Sequence, residues 1–95
     1  MPERNTAAKR ARQAEERRLR NVAVRTRMRT AIRRFREALA SGDLEEAGVQ
    51  LQKAISMVDR AASKGAIHRN QADRRKARLQ RHYNAARQQA LGQAG

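Results

Sequence analysis

Cysteine and tryptophan are absent, proline occurs once, and the aromatic residues are a single Phe and a single Tyr. Without cysteine there are no disulfides and no thiolate metal sites. One Phe and one Tyr cannot supply the stacking platforms of single-strand nucleic-acid binders. The proline stands at position 2 and the first glycine at position 42, so nothing interrupts a helix between Glu3 and Ser41. No apolar run approaches the length of a membrane span, and the first residues lack the apolar core of a secretory signal. The basic, acid-poor start resembles a transit peptide in composition only. Its pattern continues far past any plausible cleavage point, so a cytosolic protein is expected.

What is present is positive charge. The net charge is +14 over 95 residues, with 23 Lys and Arg against 9 Asp and Glu. Length fits one small domain, residues 1–95, and its few large apolar residues make it marginal alone. The charge is polar along the chain: net +10 over 1–36, −3 over 37–63 and +7 over 64–95. Two basic arms flank a mildly acidic middle, which points to a polyanionic partner, nucleic acid first and anionic membrane second. Of the basic residues 19 are Arg, which grips phosphate bidentately. Genomic GC bias is an equally good account of that excess.

The apolar pattern is helical throughout and no strand signal occurs. Met28, Ile32, Phe35 and Leu39 recur at i, i+4, i+7 and i+11. Before them stand only Leu19, Val22 and Val24, so a basic arm over 1–20 should project beyond any core. Such an arm is expected to fray when free and to be helical on its partner. Ser41-Gly42-Asp43 breaks the helix, with Asp43 as N-cap and Glu46 completing a capping-box-like pair. The next stripe is Leu44, Ala47, Leu51, Ala54/Ile55, Val58 and Ala61/Ala62. Gly48 falls inside it at a propensity cost of up to ~1 kcal/mol, for close helix packing if for anything. Gly65 stops that helix, Ile67 plugs the bend, and Asn70 or a neighbour opens a third helix striped by Ala72, Leu79, Tyr83 and Ala86. The tail from Leu91 should be loose. The expected fold is all-α: a three-helix bundle with helices at about 5–40, 44–63 and 68–89 and a long, overhanging, basic first helix.

Catalytic chemistry finds little support. His68 and His82 are the only histidines and lack metal-ligand spacing. His68 fits a helix start or a phosphate contact. No phosphate-cradling glycine loop occurs, and a thin bundle rarely offers a concave site. No enzyme activity, cofactor, metal or homo-oligomer is expected. Phe35 belongs to the core; the Tyr83 ring could pack while its hydroxyl reaches a partner. Recognition should then be of backbone and shape, as with folded RNA or a duplex.

The stretch Asp59 to Leu79, D-R-A-A-S-K-G-A-I-H-R-N-Q-A-D-R-R-K-A-R-L, resembles the signature of the bacterial small-subunit ribosomal protein S20 family. The match runs through Ala62, Lys64, Gly65, Ile67, His68, Asn70, Ala72, Arg74, Lys76 and Leu79. A-K-R-A-R-Q at 8–13, R-R-L-R-N at 17–21 and R-M-R-T-A-I at 27–32 extend it over nearly the whole chain. The resemblance implies a three-helix bundle bound directly to 16S rRNA in the 30S subunit, at its 5′ domain and long decoding-site helix, with a role in early assembly. Carried over by position, Lys64, His68, Asn70, Arg74 and Lys76 would face RNA at the corner. Lys9, Arg10, Arg12, Arg18, Arg20, Asn21, Arg25 and Arg29 would line the long helix. Family members usually begin Asn-Ile-Lys-Ser-Ala-Lys-Lys where this chain has Glu3 to Lys9, so contacts of residues 3–8 are not carried over.

Two rivals come from other classes. A nonspecific nucleic-acid-compacting protein would need only the charge, and the corner would have no purpose. A membrane-surface helix would need large apolar residues opposite the arginines, and before Val22 there is only Leu19.

Overall fold

The computed structural model describes the backbone of residues 2–94 and the side chains of 6–92. Three helices follow one another: α1, Pro2–Ser41; α2, Leu44–Ser63; and α3, Arg69–Ala94. No strand occurs among the described residues. The two short connections fold α2 back along α1 and α3 back along α2. The middle helix packs against both others, while α1 and α3 touch only marginally.

Both connections are built around a glycine in the left-handed region, φ +80° at Gly42 and +74° at Gly65. At the first, the Gly42 N–H donates to Leu39 O and the Asp43 N–H to Ala38 O. At the second, the Gly65 N–H donates to Ala62 O and the Ala66 N–H to Ala61 O. This is the same pair of 5→2 and 6→1 bonds, the Schellman termination, used twice. Asp43 serves both helices, because its Oδ1 also accepts the Glu46 N–H at 3.0 Å and so caps α2. The reciprocal half of the expected capping box does not form. Asp43 has already given its N–H to Ala38 O, and the Glu46 carboxylate instead accepts from Gln50 at 2.7 Å.

The core is thin. Its fourteen buried residues run from Val24, Met28, Ala31, Ile32, Phe35 and Ala38 on α1, through Ala47, Leu51, Ala54, Val58 and Ala61 on α2 and Ala66 at the corner, to Ala72 and Leu79 on α3. Seven of the fourteen are alanine, so the helices meet over small side chains and bury little area each. No charged or polar residue is buried among the described residues. Tyr83 packs at the α3 end of this core, its ring 6.5 Å from that of Phe35 and tilted by 49°. The Tyr83 hydroxyl is turned onto Gly48 of α2, where a Cβ would stand 3.0 Å away. The glycine inside α2 therefore makes room for a ring from α3, and the hydroxyl is aimed into the bundle.

The molecule is a rod with principal extents of 76 × 22 × 13 Å. A forty-residue α1 spans about 60 Å at 1.5 Å per residue, so the remaining length comes from α3 at the opposite end. That helix runs to Ala94, past its expected end near Gln89. Ala, Gln and Arg, all good helix formers, fill its last turns, and Gly92 does not stop it. Gly95 lies outside the described residues.

Candidate nucleic-acid interface

From residue 6 to residue 20 every side chain of α1 is exposed. Lys9, Arg10, Arg12, Arg17, Arg18 and Arg20 are distributed around this arm, which has no second helix beside it. At 3.6 residues per turn, Arg10 and Arg17 continue the line of Val24 and Ala31, at steps of seven. They occupy the core side of the helix beyond the point where α2 ends, so guanidiniums stand where a buried face would otherwise continue. Leu19 and Val22 lie on the opposite side and are 55% and 41% exposed.

One of the six is compensated locally. Arg18 grips Glu15 with two hydrogen bonds, 2.6 and 3.1 Å. That hydrogen bond and the attached charge hold the Glu15 carboxyl below the usual carboxylate range and raise Arg18. Both groups are in water, where such pairs contribute little. The other five have no acid within ion-pair distance among the described residues.

The arm and the corner are joined by Arg25. Its Nη1 donates to the Ala66 carbonyl across 41 residues of sequence at 3.1 Å. The half-buried Arg25 thereby ties the long helix to the corner loop that carries Lys64 and His68, and Asn21 lies one turn before it on α1. Arg29 is exposed one turn further along α1.

At the corner, His68 is the N-cap of α3. Its Nδ1 accepts the Asn70 N–H at 3.1 Å and its carbonyl accepts the Ala72 N–H. Gln71 reaches back to the His68 N–H at 3.4 Å. This is a capping box with imidazole as the acceptor, and the helix it opens at Arg69 starts beside Asn70, as expected from His68 at the helix start. With Nδ1 accepting, the neutral ring carries its proton on Nε2, and the side chain is exposed. Lys64 and Asn70 are exposed as well.

On α3 the two carried-over cations part company. Arg74 is exposed, and with Arg78 and Arg81 it forms an outward stripe at i, i+4 and i+7. Lys76 falls four residues after Ala72 and three before Leu79, on the buried side of the helix. Its stem snorkels out between helices and its Nζ meets Asp59 of α2 at 2.8 Å. The hydrogen bond to Asp59 raises the Lys76 pKa. Lys76 thus ties α3 to α2, whereas Arg78 and Arg81, absent from the carried-over set, share the face of Arg74. Their helical spacing was the signal for them.

Together these features define a class: a small all-α protein whose arm, corner and third helix present exposed cations, with no enclosed site among the described residues. No cluster of metal-binding side chains and no helix long and apolar enough to cross a membrane occurs among the described residues.

Comparison with known proteins gives the family. The model for ribosomal protein S20 matches residues 2–84. The small ribosomal subunit protein bS20 of Heliobacterium modesticaldum is 44% identical over 86 residues, covering 90% of this chain and 98% of that one. Those of Thermomicrobium roseum and Syntrophobacter fumaroxidans are each 49% identical over 85 residues, 90% of this chain and 86% and 99% of theirs. The chain belongs to the ribosomal protein S20 family. Its role is that of a structural ribosomal protein, not of an enzyme.

Proposed function

We propose that this chain is a component of the small ribosomal subunit in the cytoplasm and binds directly to 16S rRNA, at the 5′ domain and the long decoding-site helix. It enters early and helps to order the RNA during 30S assembly. The observation that carries this reading is the arm. Residues 6–20 bury nothing and carry six cations against two acids. Ordering such a segment requires an external polyanion. The arm meets the bundle at the Arg25–Ala66 hydrogen bond, so one RNA surface could contact arm and corner together. The outward face of α3 adds Arg74, Arg78 and Arg81.

The test is competition at moderate salt. Labelled 16S 5′-domain RNA is bound to the protein and challenged with excess duplex DNA and unrelated structured RNA. Survival of the complex is expected. Equal displacement by every competitor would leave a compacting polycation, for which the built corner has no use.

A further inference from the structure

A groove of about 640 Å³ runs between α1 and α2, and α3 contributes nothing to its lining. Its floor is Ala31 and Met57, and its walls carry Arg27 and Arg34 from α1 and Lys53 from α2. Arg27 and Arg34 are two turns apart, about 10.5 Å along the axis. The antiparallel pairing sets Lys53 across from the stretch between them. No acid lines the groove, and none of the three cations has an ion-pair partner among the described residues. Thr30 and Ser56 add hydroxyls to the same walls.

Three cations held on two rigid helices around an acid-free trough would repel one another with nothing between them. Three cations of this chain are met locally, Arg18 by Glu15, Lys76 by Asp59 and Arg33 by Glu37 at 3.8 Å, while most of those on the arm are not. The three around the groove are left open. The groove is also separate from the Arg74, Arg78 and Arg81 stripe, because that stripe faces outward from α3 and α3 does not reach the α1–α2 trough. We propose that the groove seats a second stretch of RNA backbone, with a phosphodiester strand lying along it between Arg27, Arg34 and Lys53. The proposal rests on the rRNA-binding reading and adds residues that the family signature did not supply.

The experiment uses the full chain and the 16S 5′-domain RNA with its decoding-site helix supplied in the same transcript or in trans. Arg34→Gln with Lys53→Gln removes two cations from exposed positions, and circular dichroism checks that the fold is kept. Counterion release for a single strand contributes about 0.7 log unit of affinity per contact for each log unit of salt. The double variant should flatten the salt slope by about 1.4 and lower affinity about 25-fold at 0.1 M salt. Because the chain has no cysteine, a cleaving iron chelate can be tethered at Ser56→Cys in the groove or at Ala77→Cys on α3. The groove tether should cut RNA at nucleotides different from those cut from α3. An unchanged slope, or no cleavage from the groove tether while the α3 tether cuts, would overturn the groove proposal and leave RNA binding standing. If the wild-type chain itself shows no preference for this RNA, the underlying reading fails instead. Groove variants that spare RNA binding but abolish binding of an acidic protein segment would assign the trough to a protein and equally overturn it.

Discussion

The phenol oxygen of Tyr83 stands 3.0 Å from the point where a Cβ on Gly48 would sit. The ring carbons behind it are further, 3.6 and 3.8 Å. One oxygen atom therefore separates a tolerated alanine from a crowded one. Gly48→Ala in the native background gains helix propensity of up to ~1 kcal/mol but must push the phenol aside. In a Tyr83→Phe background the remaining contacts are ordinary van der Waals distances. The alanine should then be worth more, with a coupling of about 0.5–1 kcal/mol in a double-mutant cycle. Thermal or urea unfolding of the four variants measures it, and strict additivity would mean that the two side chains do not meet.

The two left-handed glycines separate stability from binding. A Cβ at either meets nothing within 4 Å, so the strain is that of the backbone alone. Gly42→Ala and Gly65→Ala should each cost about 1–2 kcal/mol of stability. Only Gly65 adjoins the Arg25–Ala66 junction and the His68 cap. Gly65→Val should therefore weaken specific RNA binding more than it changes helix content. Equal losses of RNA affinity from Gly42→Ala and Gly65→Ala would remove any special role for the second corner.

These cases show what the sequence displays and what it hides. Gly42, Gly65, the α1 and α2 stripes and the overhang were all legible, because each rests on local rules of spacing and backbone freedom. Asp43 was legible as a cap, but the missing half of its box was not, since that depends on which carbonyl of α1 already holds its N–H. The purpose of Gly48 needed Tyr83, 35 residues away. Lys76 matched a signature position, yet the stripe through Ala72 and Leu79 placed it on the inner side of α3. Arg27 and Arg34 share a face of α1 at i, i+7, but only the antiparallel pairing of α1 with α2 brings Lys53 across from them around one trough.

Lys76 should behave as a tie between helices more than as an RNA ligand. Lys76→Gln is expected to lower the unfolding midpoint while changing the salt slope of RNA binding less than Arg74→Gln does. The pair also has a pH signature. Asp59 raises the lysine's folded-state pKa, so its contribution is fully present below the unfolded lysine value, about 10.4. It is lost as pH rises through the higher folded value. Asp59→Asn should remove that alkaline dependence. An undiminished loss of stability above pH 10 in Asp59→Asn would assign it to other groups.

The arm should be the least protected part of the free protein. Its helical turns at 6–20 have exposed side chains throughout and no second helix beside them, placing them at the low end of local stability. Hydrogen exchange of the free chain should show those amides open while the core turns around Met28, Phe35, Leu51 and Val58 stay closed. Addition of 16S 5′-domain RNA should slow the arm selectively. Strong protection in the arm without RNA would contradict the coupling of order to binding.

His68 combines two roles that a pair of substitutions can separate. Its Nδ1 holds the Asn70 N–H at the start of α3, and its Nε2 faces outward as a donor. His68→Ala loses the cap and should cost about 1 kcal/mol of stability. His68→Asn keeps a short acceptor at the N-cap and should restore nearly all of it. Asparagine does not place a donor where Nε2 stands, however. If that donor meets a phosphate, His68→Asn will fold as well as the native chain and still bind 16S RNA at least about ten-fold more weakly, the scale of one hydrogen bond to a charged group. If His68→Asn matches the native chain in both unfolding and RNA affinity, the imidazole acts as a cap alone, and the RNA contacts at this corner must come from Lys64 and Asn70.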